Sequence, residues 1–448
     1  MAETETTPAV EYSAIAASSL VNGEVKLSIN ERGLLIAALF DAVELSYVEI
    51  NELRFENYTV LVVTDSGTYT LSRMGSWAQP FYDELCGAYN EAVLRALFIK
   101  GSPLTTAKGN YHYSESTGES SGAAPFFVYK SCVAILPPDL GARRIPLCFT
   151  CGLEKDNFSL TLSLDTQESY TLARLGYDTD PIEKTIEAQL RQLQEKAILL
   201  AKDLDPTLGA VQASQIAKLT LEGKAAPMSA LLAIAPSFVE ALEKEITKTR
   251  AAEYYQAFKE LCGQTNLWVG FKKLASAEGD GGESDGDPPA LPGGPGVNPL
   301  AALGGLSQVV AGFTGTTDAA ELSDTDEEAA PEPPPDEYAF FFIAPSPDGN
   351  FATIEFSEAD SATFVYRTDN DFGSFALQLN RALEAIDFKR EVIRLTDEEL
   401  LQPGNADYYM AARRTASLQF VRTHFVGRVI HSNPTAWKQK LLDLWSKK

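Results

Sequence analysis

Cys148 and Cys151 stand three residues apart, the one spacing in this 448-residue chain that invites metal or redox chemistry. A thioredoxin-type pair opens a helix, where the dipole lowers the thiol pKa. Here the stretch 145–151 reads as a strand, which turns the two side chains to opposite faces. A zinc site needs two further ligands, and Cys86, Cys132, Cys262 and His112 form no second pair. Cys148 and Cys151 therefore read as core cysteines, with a zinc site completed by a residue such as His112 as the alternative. The remaining histidines, His424 and His431, lie in residues 407–448, where eight Lys and Arg face only Asp407 and Asp443. Guanidinium groups suit carboxylate and phosphate. Arg413, Arg414, Arg422, His424, Arg428 and His431 are thus the candidate anion- or partner-binding set, and a solvated face paired with acidic chain is the other reading. No nucleophile elbow, Walker A loop, dinucleotide fingerprint or His-Glu-x-x-His motif occurs. No enzyme, metal or cofactor is expected.

The net charge of −25 is concentrated. Residues 276–337 hold fourteen acidic and no basic side chains and are rich in Gly and Pro, a composition that predicts a disordered acidic linker. One apolar island interrupts it at 299–313, where Leu300, Leu303, Leu306, Val309, Val310 and Phe313 fall at helical spacing. It reads either as a docking segment, for a partner or for another part of the chain, or as a transient helix without a role. The rest of the chain is mildly acidic or neutral, which argues against sequence-independent binding of nucleic acid or anionic membrane. No apolar run is long enough to span a bilayer, the Met1 end does not resemble a signal peptide, and five cysteines suit a reducing compartment. The expected location is cytoplasmic.

The elements that must position these residues are announced by a repeat. Tyr69-Thr70-Leu71-Ser72-Arg73-Met74-Gly75 returns as Tyr170-Thr171-Leu172-Ala173-Arg174-Leu175-Gly176, with five of seven positions identical. A proline follows each glycine by five residues, Pro80 and Pro181. Phe81, Leu85, Tyr89, Ala92 and Ala96 then match Ile182, Ile186, Leu190, Leu193 and Ala197 position for position. That spacing is one face of a helix opened by proline. Each copy predicts a strand, a glycine turn and a long amphipathic helix. The shared arginines, Arg73 and Arg174, are assigned a structural role such as capping a carbonyl or pairing with a carboxylate. A fainter third copy runs from Asp360-Ser361-Ala362-Thr363-Phe364 into a helix carrying Phe375, Leu379, Leu383 and Ile386.

The fold class is α+β, in five parts besides an N-terminal tail and one connection. Residues 1–21 read as a tail, 22–100 as a first module of short antiparallel strands and a closing helix, and 101–122 as a connection from which 104–113 could supply a strand. Residues 123–203 read as a second module of the same kind. Residues 204–275 read as helices packed on it, including one long helix over 237–261; a DNA-reading helix-turn-helix is disfavoured by Glu240, Glu243 and Glu245, which phosphates would repel. The linker follows, and 338–448 is a third α+β module, with helices over 372–387 and 406–420 and a capping box at Thr396.

Short antiparallel strands closed by one C-terminal helix, together with Tyr47-Val48-Glu49-Ile50-Asn51-Glu52-Leu53, resemble the pleckstrin-homology-like superfold. The resemblance implies tandem bent barrels that bind proteins, peptides or phosphoinositides and are rarely catalytic. Lipid-binding members use basic residues between their first two strands. Here that loop carries Arg32 alone, and Arg143-Arg144 is the nearest equivalent in the second copy, so phosphoinositide binding is not expected. The expected function is a non-enzymatic scaffold for protein partners. The alternatives are a chaperone of basic proteins, since tandem modules with an acidic segment resemble histone-chaperone subunits, and an enzyme with a site between modules.

Overall fold

The computed structural model describes residues 11–274, 338–357, 362–431 and 433–446. The acidic stretch 276–337 and its island 299–313 lie outside the described residues.

The first unit runs β1 (Glu11–Ala17), β2 (Asn22–Ile29), β3 (Gly33–Ala37), β4 (Ala42–Ser46), β5 (Ile50–Glu56), β6 (Thr59–Thr64) and β7 (Gly67–Ser72), then helix α1 (Ala78–Ala96). The second repeats it: β8 (Thr105–Glu115), β9 (Gly118–Val128), β10 (Cys132–Ile135), β11 (Arg143–Pro146), β12 (Thr150–Asp156), β13 (Ser159–Leu164), β14 (Ser169–Ala173) and α2 (Thr179–Leu204). The sheets are antiparallel, in the order β4-β3-β2-β1-β7-β6-β5 and β11-β10-β9-β8-β14-β13-β12. The two orders are the same. Even the irregularities repeat: a 3-10 turn precedes β5 and β12, and a register shift follows at Ile50/Glu52 and at Thr150/Gly152. The helix faces read from the sequence are buried, with Phe81, Leu85, Tyr89, Ile182 and Ile186 at 0% exposure.

Two boundaries move outward. The stretch read as a tail supplies β1, which pairs with β2 and β7, and the connection before residue 123 supplies β8, the strand allowed for from 104–113, and the start of β9. The strand expected at 145–151 is interrupted by the 3-10 turn Leu147–Phe149. Arg73 and Arg174 do something other than expected. Both are exposed, with φ of +61° and +58°, and are followed two residues later by Gly75 and Gly176 at +61° and +57°. The repeated motif thus encodes a left-handed backbone turn that swings the chain from strand to helix.

Next come α3 (Ala210–Leu219), β15 (Ala226–Pro227), α4 (Met228–Ile234), α5 (Pro236–Ile246), α6 (Ala252–Cys262) and β16 (Trp268–Lys273). The single helix expected over 237–261 is broken at Thr249. Its hydroxyl donates to the Ile246 carbonyl (2.8 Å) and accepts from the Ala251 N–H (3.3 Å), which competes with helical bonding. Strand β16 was not foreseen, because its longer partner, β17, lies beyond the acidic stretch and its other neighbour is the two-residue β15. The chain resumes as β17 (Tyr338–Pro345), β18 (Phe351–Phe356), β19 (Ala362–Arg367) and, past α7 (Phe372–Ala385), α8 (Glu391–Arg394), α9 (Asp397–Leu400), α10 (Ala406–Arg414) and α11 (Ala416–Thr423), the last strand β20 (Phe425–Ile430). Helix α12 (Pro434–Trp445) ends the described chain, capped by Asn433. The helix expected over 406–420 is two, separated by Thr415 in extended conformation. The Thr396 capping box is present, its hydroxyl accepting from Glu399 N.

The third sheet has six strands in the order β15-β16-β17-β18-β19-β20. It is therefore no third copy of the first two; only the hairpin β18-β19 followed by α7 echoes β6-β7-α1. Phe271, Phe340, Phe342 and Val365 pack with the preceding helices and α12 on one face. Phe341, Ile343, Phe364 and Tyr366 pack with α7, α8, α10 and α11 on the other. Lys273 and Tyr338 are Cα partners at the end of the β16–β17 ladder. The acidic stretch thus joins neighbouring strands of one sheet instead of linking separate modules. Both residues also bond Asp203 Oδ2 at the end of α2, at 2.5 and 2.8 Å. Lys273 first, then Tyr338, hold that carboxyl below its ordinary value.

The three units are fused. Leu53 N donates to Pro138 O (2.8 Å), and the core of the first sheet includes Phe127, Tyr129 and Leu136 of the second. No helix among the described residues is long and apolar enough to cross a membrane.

Candidate functional site

The six residues singled out in the sequence go to different places, and only one stays available to a ligand. Arg414 is 2% exposed; it bonds Tyr89 Oη of the first unit (2.6 Å) and its own helix at Met410 O (3.2 Å). Burial lowers its pKa. Arg413 donates to Asn51 Oδ1 (2.7 Å). These two arginines fasten α10 to α1 and β5 instead of facing solvent together. Arg422 reaches the Val392 carbonyl and Asp397 (2.8 Å), tying α11 to α8 and α9. His424 lies between Asp369 (3.0 Å) and the Phe420 carbonyl (2.7 Å). His431 stacks on Tyr254 at 4.0 Å and meets buried Glu355 at 3.0 Å, beside Thr363, whose hydroxyl also accepts from Trp437 Nε1 (2.7 Å). That group pins α12 to the sheet.

Arg428 is exposed and forms no ion pair among the described residues. Strand register places it opposite Phe364, and Ile430 opposite Ala362, so all four share one face at the end of the third sheet. Helix α8 crosses that face, anchored by buried Val392 and Ile393 and by the Arg422 strut. Its other side presents Arg390 and Arg394, one turn apart. The result is a cleft of about 290 Å³ lined by Ala362, Phe364, Arg390, Glu391, Arg394, Arg428 and Ile430. Arg390 lies over the Phe356 ring at 4.6 Å, while Arg394 is exposed and, like Arg428, has no carboxylate partner among the described residues. Three guanidiniums against one carboxylate, on an apolar floor, can take carboxylate or phosphate in bidentate geometry. Arg390 and Arg394 were missed by reading the sequence, although their i,i+4 spacing puts them on one helix face.

The other basic candidates are neutralised. Arg143 and Arg144 pair with Glu115 (2.9 Å) and Glu384 (2.6 Å) and are nearly buried. Cys148 sits in the 3-10 turn, buried, with its thiol pushed well above the ordinary value by burial, whereas Cys151 is exposed. Cys132 is raised by burial too, and Cys86 and Cys262 are pushed up to about 12 by burial. A maleimide titration of the native chain is therefore expected to modify Cys151 rapidly, half-buried Cys86 and Cys262 more slowly, and Cys132 and Cys148 only on unfolding; equal rates at Cys148 and Cys151 would contradict this placement.

Neither a protein-family model nor a curated protein matches the chain.

Proposed function

We propose that the chain is a non-enzymatic binding protein whose arginine cleft receives an acidic or phosphorylated segment of a partner protein. The observation that carries this reading is the pair Arg394 and Arg428, two guanidiniums with no carboxylate partner among the described residues, beside Arg390 at one cleft. Exposed cationic side chains grouped in this way are suited to capturing an anion from outside. The repeated seven-strand order, each sheet followed by its helix, supports the pleckstrin-homology-like resemblance, and with it a binding role. The tethering of His424, His431 and Cys148 in structural contacts favours binding over catalysis.

The test is a fluorescence-anisotropy titration with a glutamate-rich peptide and a phosphoserine peptide of the same length. A hydrogen bond to a charged group is worth about 1.5–3 kcal/mol. Arg394→Glu/Arg428→Glu should therefore weaken binding by at least roughly tenfold without changing the melting temperature, since both side chains are exposed. Binding unaffected by the double substitution would refute the cleft. Preference for the phosphopeptide would distinguish the two anions. A second reading, chaperoning of basic proteins, draws on the fourteen acidic residues of 276–337. It expects salt-sensitive binding of a lysine-rich peptide that survives the double substitution and disappears when 276–337 are replaced by a Gly/Ser segment.

A further inference from the structure

A second cavity, of about 670 Å³, runs between the C-terminal half of α2, the turn around Gly223 and strand β16. Its wall is apolar, formed by Leu193, Ala197, Leu199 and Leu200 of α2, and Leu199 is 70% exposed. Its rim holds Lys196, Lys202, Lys272 and Lys273 against Asp203 and Glu222; Lys196 pairs with Glu222 (3.1 Å) and Lys273 with Asp203 (2.5 Å), which leaves a net positive rim. Nothing among the described residues fills it.

We infer that this groove is the docking surface for the chain's own apolar island, Leu300 to Phe313. Three observations name this occupant over others. Lys273 and Asp203 line the groove, and Tyr338 is the Cα partner of the first and a hydrogen-bond partner of the second, so the chain departs and returns at the rim. Twenty-five residues lie between Leu274 and Leu300, and twenty-four between Phe313 and Tyr338. A coil of that length spans roughly 25–30 Å root-mean-square, ample for a surface that begins at its own anchor. The chemistry is also complementary. Leu300, Leu303, Leu306, Val310 and Phe313 recur every three or four residues, which offers one apolar stripe to an apolar wall. The flanks carry acids only, matching a lysine rim in an otherwise acidic protein.

Tethering at both ends gives the island an effective concentration on the order of millimolar, so a contact too weak to detect between free molecules is still populated. The acidic flanks are then held beside the rim, where their attraction to the lysines fades as salt rises.

The test compares the intact chain with one in which 276–337 is replaced by a Gly/Ser segment of equal length. A fluorescein-labelled peptide covering 296–316 should bind the replaced chain and bind the intact chain at least tenfold more weakly, because the intact groove is already occupied. Leu199→Asp in the replaced chain should abolish binding while leaving its melting curve unchanged, since that side chain is exposed. In the intact chain, Leu303→Asp/Leu306→Asp should shift the amide signals of Leu193, Leu199, Leu200 and Gly223 while leaving the first sheet untouched. Equal peptide affinity for both chains, no binding to the replaced chain up to millimolar peptide, or unmoved groove signals would overturn the assignment. So would concentration-dependent dimerisation of the intact chain that Leu199→Asp abolishes, which would make a second copy the occupant.

Discussion

Arg381→Ala is expected to lower the unfolding free energy by about 3–5 kcal/mol, the cost of removing one partner from a buried ionic network. The guanidinium is 4% exposed, on the face of α7 that meets the second unit. Its Nε faces Glu168 at 3.4 Å, its Nη1 faces Glu384 at 3.5 Å, and its Nη2 donates to the Arg144 carbonyl at 3.0 Å. Burial alone would favour loss of its proton, but Glu168, Tyr170 and Glu384 together outweigh that and its pKa is raised. The network extends through Tyr170, whose hydroxyl donates to Glu115 (2.7 Å) and Glu168 (3.1 Å). Alanine would leave Glu168, 5% exposed, held by that hydroxyl alone within this network. The measurement is a urea titration, in which the midpoint should fall at unchanged slope. Since whole domains are stable by only about 5–15 kcal/mol, the shift would be large. An unchanged midpoint would show that the charges hold together without Arg381.

Leu85→Asp should be more severe. Leu85 is 0% exposed, under the centre of α1. The substitution removes about 2–5 kcal/mol of apolar packing and in addition buries a polar carboxyl. Because that core is continuous with Phe127, Tyr129, Cys132 and Leu136 of the second unit, the damage is not confined to the first. Hydrogen exchange is expected to accelerate both in β5–β7 and in β9–β10. Ile186→Asp, also at a 0% exposed position, should do the same from the second core. A wild-type melting transition for either variant would mean that the side chain escapes to solvent and that the helix face is wrongly placed.

How much of this was legible depends on which residues carry each element. The repeat was plain because its helix faces use large apolar side chains at regular intervals. Strand β1 was not, since its buried positions are Tyr12, Ala14 and Ala16, and alanine does not stand out as an apolar alternation. The β8–β9 hairpin has a Gly, Ser and Thr composition that reads as a loop, and the large side chains that mark its inner face are Tyr111, Tyr113, Phe126 and Val128. Strand β16 could not be assigned locally, because its longer pairing partner is supplied from beyond the acidic stretch. The site was legible by residue type and not by grouping. Arginines near the C-terminus were expected to act together, but a charge count cannot tell Arg414, sealed against Tyr89, from Arg428, left open on an edge.

The paired ends of the acidic stretch have one more consequence. A single peptide-bond cut anywhere in 275–337 would divide the chain into two fragments, one ending the sheet at β16 and the other resuming it at β17. Neither piece could cover its share of the third core alone, since Phe271 and Phe340 face the same helices. The nicked protein should therefore stay together as a non-covalent complex through size-exclusion chromatography, and separately expressed halves should reassemble. The fold carries a natural split point, usable for reporting when two other proteins meet.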